Sequence, residues 1–384
     1  MLFNRFILKT ENLMPQLNLL IKPASSLCNM GCRYCFYRDV ADNRNTRSFG
    51  IMSEDTLNAM MKNVFAYADT AVSFTFQGGE PTLAGEKFFL AFHRAVERYN
   101  TRRIPTSFFL QTNGYDISDG LMRIFAAYRY LLGVSLDGEP IIHDAFRTTL
   151  SGEGTSGKIM ETLHRLDRYR IDYNILTVIT ERLARGGSET YKYLRDCGYR
   201  FLQFIPFVSD FGKEGEKQPY TLTNESYAHF LTETFREYRN DFINGRYVSV
   251  RQFDNFVRIA AGLSAECCGM GGRCFANLVI EADGGAYPCD FYVLDKWKMG
   301  NITENSVSEL FESEAAKSFV KDSFIAAEEC VGCRYFGICK GGCRRHREDA
   351  YGSLSLNRYC DAYKSFFESS ISLISDMASR LCKK

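Results

Sequence analysis

Cys28, Cys32 and Cys35 form a C-x3-C-x2-C segment directly after a strand-like run, with Phe36 and Tyr37 following. Three soft thiolates can hold three irons of a [4Fe–4S] cube and leave the fourth iron open to chelate a small molecule. A zinc site or three unrelated cysteines is the alternative, but zinc sites commonly pair two C-x2-C hooks or combine cysteine with histidine, and no fourth ligand lies near. Further along, Cys330, Cys333, Cys339 and Cys343 give C-x2-C-x5-C-x3-C, with Cys268, Cys274 and Cys289 upstream and Cys360 downstream. Iron–sulfur clusters and structural zinc both suit those spacings.

Composition says where such thiols would sit. The chain has 384 residues, 45% of them hydrophobic, which is ample material for two or three packed domains. Lysine plus arginine number 47 against 46 aspartate plus glutamate, so no basic field favours a nucleic-acid partner. The opening stretch is broken by Arg5, Lys9 and Glu11 before any apolar run reaches signal-peptide or membrane length, and no later run does. A cytoplasmic location without a membrane partner is expected. In that reducing compartment 14 closely spaced cysteines more often ligate metal than form disulfides.

The elements that position these residues follow from the hydrophobic pattern. Six β-branched or aromatic runs, at 17–23, 72–78, 106–112, 130–137, 172–180 and 201–207, alternate with helical stretches such as 54–67 and 158–169. Strand–helix alternation predicts a parallel sheet with right-handed crossovers, and six units are too few to close an eight-stranded barrel. The fold expected is α/β: a partial (β/α)6 barrel over residues 15–250, a small Cys-rich iron–sulfur domain over 251–365, and a C-terminal helix over 366–384. That helix carries an apolar stripe of Phe367, Ile371, Ile374, Met377 and Leu381. Gly78-Gly79-Glu80, Asn113-Gly114 and Asp137-Gly138 follow the second, third and fourth runs, at the rim where parallel α/β folds place their sites.

The cysteine motif, with Tyr34 before its last Cys, resembles the signature of radical S-adenosylmethionine enzymes. In that family the cofactor's methionine group binds the open iron, and an electron from the cluster releases a 5′-deoxyadenosyl radical. FQGGEP (76–81) stands where the family's GGE segment holds the methionine amino group; a plain turn is the alternative reading. LLIKPASSLCNMGCRYCFY, FQGGEPTLAG, SLDG with HDAFR, LQFIPF, YPCDFYVLDKW with GNI, and CKGGCRR together look like anaerobic sulfatase-maturating enzymes. Those enzymes convert a Cys or Ser in a C/S-x-P/A-x-R segment of a sulfatase into Cα-formylglycine.

The resemblance implies S-adenosylmethionine and three [4Fe–4S] clusters as cofactors. It assigns Cys28, Cys32 and Cys35 to the first cluster, Cys268, Cys274, Cys289 and Cys343 to one auxiliary cluster, and Cys330, Cys333, Cys339 and Cys360 to the other. Cys268 is preferred to Cys267 because it reproduces the family's C-x5-C spacing to Cys274, and Cys197 and Cys382 remain outside. Cofactor contacts fall on Tyr34, Gly79, Ser135, Arg147 and Val208, and Asp290 is implied as the general base, a carboxylate of ordinary pKa. The partners implied are a sulfatase polypeptide and an electron donor such as flavodoxin or ferredoxin. About a dozen N-terminal residues extend beyond the family pattern. Bland readings exist beside these: Asp137 as a turn cap, Arg147 as a surface cation, His143 and His346 as satisfied or solvated residues. Rival functions are a radical maturase of another ribosomal peptide and a non-catalytic iron–sulfur or zinc scaffold.

Overall fold

Alternating burial along the first two strands shows how the barrel wall is made. Leu17, Leu19 and Ile21, like Val72, Phe74 and Phe76, point under the outer helices, whereas Ser73, Thr75 and Gln77 on the other face are only half-buried. The computed structural model describes residues 16–213, 216–324, 326–348 and 353–382. The N-terminal extension and the side chains of Leu381 and Cys382 lie outside the described residues.

The six expected runs form strands β1 (Leu17–Ile21), β2 (Val72–Phe76), β3 (Thr106–Thr112), β4 (Leu131–Ser135), β5 (Asp172–Ile179) and β6 (Phe201–Pro206). They pair in sequence order, all parallel, which is the partial (β/α)6 barrel. Helix Glu54–Tyr67 has the expected bounds, the helix expected over 158–169 starts two residues earlier at Ser156, and a further helix, Gly85–Tyr99, follows β2. Ser53 caps the first of them, its hydroxyl accepting from Thr56 N. Their rings close on the strands: Phe76 sits 4.9 Å from Phe92 and 5.1 Å from Phe89, edge to face.

Four short strands escaped the sequence reading. β7 (Ser249–Val250) adds to β6, and β8 (Leu278–Ile280) adds in parallel to the free edge of β1, with Leu19 opposite Leu278. β9 (Gly285–Tyr287) and β10 (Gly300–Asn301) follow antiparallel, which makes one sheet ordered β10-β9-β8-β1-β2-β3-β4-β5-β6-β7. The Cys-rich part is thus grafted onto the barrel's own edge. The C-terminal helix runs from Cys360 to Cys382, beginning six residues before the expected start at 366, and its Phe366 packs 5.5 Å from Phe235 and 5.7 Å from Phe256. The earlier start follows from Asn357 and Asn224, whose amide oxygens accept from Tyr359 N and Ala362 N.

Two loops press on each other at the rim. Gly79 N donates to Ser25 O at 2.9 Å and Glu80 N to Leu27 O at 2.7 Å, so the turn after β2 lies against the turn that leads into Cys28. A Cβ at Gly79 would stand 2.1 Å from Leu27 O, and backbone cannot swing aside as a flexible side chain can. Gly79→Ala should therefore cost about 2–3 kcal/mol in urea unfolding, at the upper end for overpacking. Gly157→Ala, where a Cβ meets nothing within 4 Å, should leave the midpoint unchanged or slightly raised. Equal midpoints for the two variants would show that the loops are not in contact.

Candidate active site at the barrel rim

The cysteine loop leaves β1 and is held from a second side by the segment after β4. Gly31 N donates to Thr148 O and Arg33 N to Phe146 O, at 2.8 and 2.9 Å. Cys28, Cys32 and Cys35 come close enough to feel one another's charge, and Asn113 at the end of β3 donates to Cys28 Sγ at 3.7 Å. Burial pushes the Cys28 thiol up to about 11, and the other two thiolates add to that rise. Thiols so buried stay protonated at neutral pH unless a cationic group takes the thiolates, which is what an iron cluster does.

Glu80 is fully committed inside. Its oxygens accept from Thr82 N and Oγ1, Thr112 Oγ1 and Asn113 N, so it braces the rim, and Gly79 beside it is the residue left half-exposed.

Tyr34, Asp137 and Arg147 form a network that the sequence reading did not assemble. The Tyr34 hydroxyl donates to Asp137 Oδ2 and accepts from Arg147 Nη1. Asp137 Oδ1 takes Val178 N at 2.9 Å, and its own N–H goes to His143 Nδ1 at 3.0 Å. Arg147 is therefore no surface cation, being 7% exposed, and Asp137 is more than a turn cap. Arg147 Nε is buried with no partner among the described residues, a donor left for a ligand. Burial drops His143 to about 3, so it stays neutral: it accepts at Nδ1 and donates at Nε2 to Thr155 Oγ1. Ser135 ends β4 and Val208 lies two residues beyond β6, both on the same rim.

Asp290 reaches this rim from the Cys-rich part. Its Oδ2 accepts from the Tyr37 hydroxyl at 2.6 Å and from Gln77 Nε2 at 3.0 Å, while its Oδ1 is buried and has no partner among the described residues. Burial raises its pKa, opposed by the Lys22 ammonium and the Tyr37 hydrogen bond. The expectation of an ordinary carboxylate is thus corrected upward, because desolvation outweighs its partners. Lys22 is itself held, 3.9 Å from Glu281 Oε2 and 4.9 Å from the centre of the Tyr37 ring. The sequence reading named Tyr37 only as an aromatic after Cys35 and Gln77 only as part of FQGGEP, and gave neither a role beside Asp290.

The remaining cysteines gather in two sets. Cys343 interacts with Cys268 and Cys274, and Cys289 with Cys343 and Cys268; Cys339 interacts with Cys360, Cys330 and Cys333. Cys267 touches the first set only through Cys268, and its thiol accepts instead from Asn255 Nδ2 at 3.6 Å. The second set lines a small pocket with Tyr335, Asn357 and Phe367. Burial pushes Cys339 up to about 11 and Cys343 up to about 12, the same demand for a cationic group as at Cys28. Among the described residues no three His, Cys, Asp or Glu side chains converge on a single metal ion. Soft thiolates gathered in such sets are the donors that an iron–sulfur cube takes.

Comparison with known proteins agrees with this geometry. Residues 23–183 match the Radical SAM superfamily and residues 268–334 match SPASM, an iron–sulfur cluster-binding domain. The chain is 41% identical over 369 residues to a cysteine-type anaerobic sulfatase-maturating enzyme of Clostridium novyi (strain NT), covering 96% of this chain and 99% of that one. Identity falls to 27% over 353 residues, 91% of this chain and 84% of the relative, for a serine-type enzyme of Klebsiella aerogenes. The solved structure of native anSMEcpe with bound AdoMet and Cp18Cys peptide superimposes with a TM-score of 0.91 at 40% identity, covering 96% of this chain and all of that one. A shared fold and this level of identity along nearly the whole length place the chain among the anaerobic sulfatase-maturating enzymes, a family of radical S-adenosylmethionine enzymes with a SPASM domain.

Proposed function

We propose that this enzyme oxidises a target cysteine, in preference to serine, in a C-x-P/A-x-R segment of a sulfatase polypeptide to Cα-formylglycine. The observation that carries the reading is Asp290: one oxygen pinned by Tyr37 and Gln77, the other buried and without a partner, beside a cysteine of the auxiliary set. Similarity to the cysteine-type relative over the serine-type one supports the choice of target.

Cys28, Cys32 and Cys35 would hold the first cluster, with Tyr34, Gly79, Ser135, Arg147 and Val208 lining the cofactor. Because the Tyr34 hydroxyl is spent on Asp137 and Arg147, its contact would come from the backbone. Bound there, S-adenosylmethionine supplies on reductive cleavage a 5′-deoxyadenosyl radical that takes hydrogen from the target's Cβ. Loss of that hydrogen, of the thiol proton and of one electron leaves a thioaldehyde, which water then hydrolyses to the aldehyde with release of hydrogen sulfide; the chain's own task is to orient the target residue, exclude water from the radical step and accept the proton. Asp290 Oδ1 takes the thiol proton; Tyr37 and Gln77 fix the carboxylate's plane through Oδ2, and desolvation makes it a stronger base than an exposed aspartate.

The two auxiliary sets, each with four cysteines, leave no iron open, which suits electron transfer rather than substrate binding. A flavodoxin- or ferredoxin-like donor in the cytoplasm would supply electrons; no described helix is long and apolar enough to cross a membrane. The barrel is assigned to 15–250, the auxiliary domain to 251–365 and the terminal segment to 366–384.

Three measurements test this. Replacing Cys28, Cys32 and Cys35 together by Ala should abolish 5′-deoxyadenosine formation while iron stays at the auxiliary sites; undiminished cleavage would refute the first-cluster assignment. Ala at Cys330, Cys333, Cys339 or Cys360 should lower iron content and solubility, because a metal-bound domain loses folding energy with its metal. Cys197→Ala should do neither, and equal iron loss there would mean the ligand set is wrong. Asp290→Asn keeps size and polarity but removes the base, so formylglycine from a C-x-P-x-R peptide should drop about 10²- to 10⁴-fold while 5′-deoxyadenosine still forms. Aldehyde at the wild-type rate would put the base elsewhere.

A further inference from the structure

Arg344, directly after Cys343, is 3% exposed and takes no part in the roles assigned so far. Its guanidinium carbon lies 4.7 Å from the centre of the Phe319 ring, 4.8 Å from Trp297 and 5.3 Å from Tyr292. Nη1 donates to Phe319 O at 3.0 Å, and Nε is buried with no partner among the described residues. Its neighbour Arg345 reaches the Asp39 carboxylate at 3.7 Å, but among the described residues no carboxylate is in ion-pair reach of Arg344. Ring faces attract a cation without neutralising it. An arginine cannot shed its proton to escape burial, so a counter-anion is required.

The anion at hand is the first auxiliary set. Cys274 and Cys289 pack against the same buried Tyr292, Trp297 and Phe319 cluster that cages the Arg344 guanidinium, and Arg344 itself follows Cys343 in the chain. A cube bound by four thiolates carries net negative charge and gains one more negative charge when it takes up an electron. A fixed cation beside it therefore favours the reduced form.

We propose that Arg344, caged by Tyr292, Trp297 and Phe319, is a positioning charge that raises the reduction potential of the cluster held by Cys268, Cys274, Cys289 and Cys343, making it a better acceptor for the electron that leaves the substrate. The cage fixes the charge in place, and among the described residues no carboxylate pairs with it to cancel that charge before it acts on the cluster. This rests on the ligand assignment of the proposed function.

The test is an EPR-monitored redox titration of reconstituted holoenzyme, wild type against Arg344→Met, Arg344→Gln and Arg344→Lys. The relevant couple is the one lost in Cys274→Ala. Met and Gln should lower the reduced-to-oxidised ratio of that couple at least about tenfold at fixed potential, about 59 mV for one electron. Lys should hold it near the wild type, and the other two couples should not move. Iron-replete Met and Gln variants that titrate with the wild type, or a Lys variant displaced as far as they are, would overturn the proposal. If the neutral variants load too little iron to titrate, the iron count decides. Retention in Lys alone supports a required charge, whereas loss in all three makes Arg344 a packing residue. Unchanged iron and couples in Cys274→Ala would instead sink the ligand assignment.

Discussion

The parallel pairing of β8 with β1 determines where every chemical group beyond the barrel can stand. Lys22 N donates to Ile280 O at 2.8 Å, and just past that point the buried Glu281 carboxylate takes Arg44 at 2.6 Å and Lys22 at 3.9 Å. Two cations from the barrel thus close on one anion from the Cys-rich part, with nearly no solvent to screen them. Removing one partner would strand the others, a change that typically costs about 3–5 kcal/mol in a buried cluster. The seam is specific as well as strong: a one-residue slip of β8 would exchange Leu278 and Ile280, which pack in the main core, with Val279, which packs with Val40, Tyr287 and Val293 on the opposite face. Asp290, ten residues beyond β8, inherits its position from that register.

Charge elsewhere follows the same economy. Arg147, Arg344 and Arg345 are each at most 7% exposed, and each lies beside a cysteine set or the segment that carries one. Arg147 is tied to Tyr34 and is the foremost charge opposing the rise that burial imposes on the Cys32 thiol; Arg345 lies 3.6 Å from the centre of the Phe211 ring and donates to Ser209 O at 2.6 Å. Buried cations without full pairing are costly in an apolar interior. They become reasonable where several thiolates must be held deprotonated, because cation and cluster then relieve each other's desolvation.

The six barrel strands were readable because each is a short β-branched or aromatic run bounded by polar turns, and local pattern alone decides such elements. The four strands β7 to β10 were not, since two or three residues such as Ser249–Val250 carry no periodicity and pair only because a distant edge is free. Spacing picked out the cysteines but left their grouping to the family resemblance; in the structure Cys343 lies near Cys268, Cys274 and Cys289, and Cys339 near Cys330, Cys333 and Cys360. Spacing could not reveal Arg147 as buried, since a guanidinium in HDAFR looks like any surface arginine until Tyr34 and Asp137 close on it. Nor could it connect Tyr37 and Gln77 with Asp290, from which they stand 253 and 213 residues away. Such contacts come from topology, which a linear pattern does not encode.

Those same contacts bind Asp290, the proposed proton acceptor, to the barrel rim through two separate loops. Tyr37 is the second residue of the helix that Cys35 precedes, Gln77 lies in the turn that ends at Gly79 and Glu80, and Asp290 follows Cys289. Three cofactor-bearing segments therefore each contribute one residue to a single hydrogen-bonded group. A shift of the cysteine loop moves the Tyr37 hydroxyl, a shift of the Gly-Gly-Glu turn moves the Gln77 amide, and either one rotates the Asp290 carboxylate about its Oδ2 contacts. The unpartnered Oδ1 keeps its orientation only while both barrel loops are in place. On the proposed function, proton acceptance would thereby be tied mechanically to an assembled cofactor site, with Asp290 and the proposed cluster ligand Cys289 as neighbours in one turn.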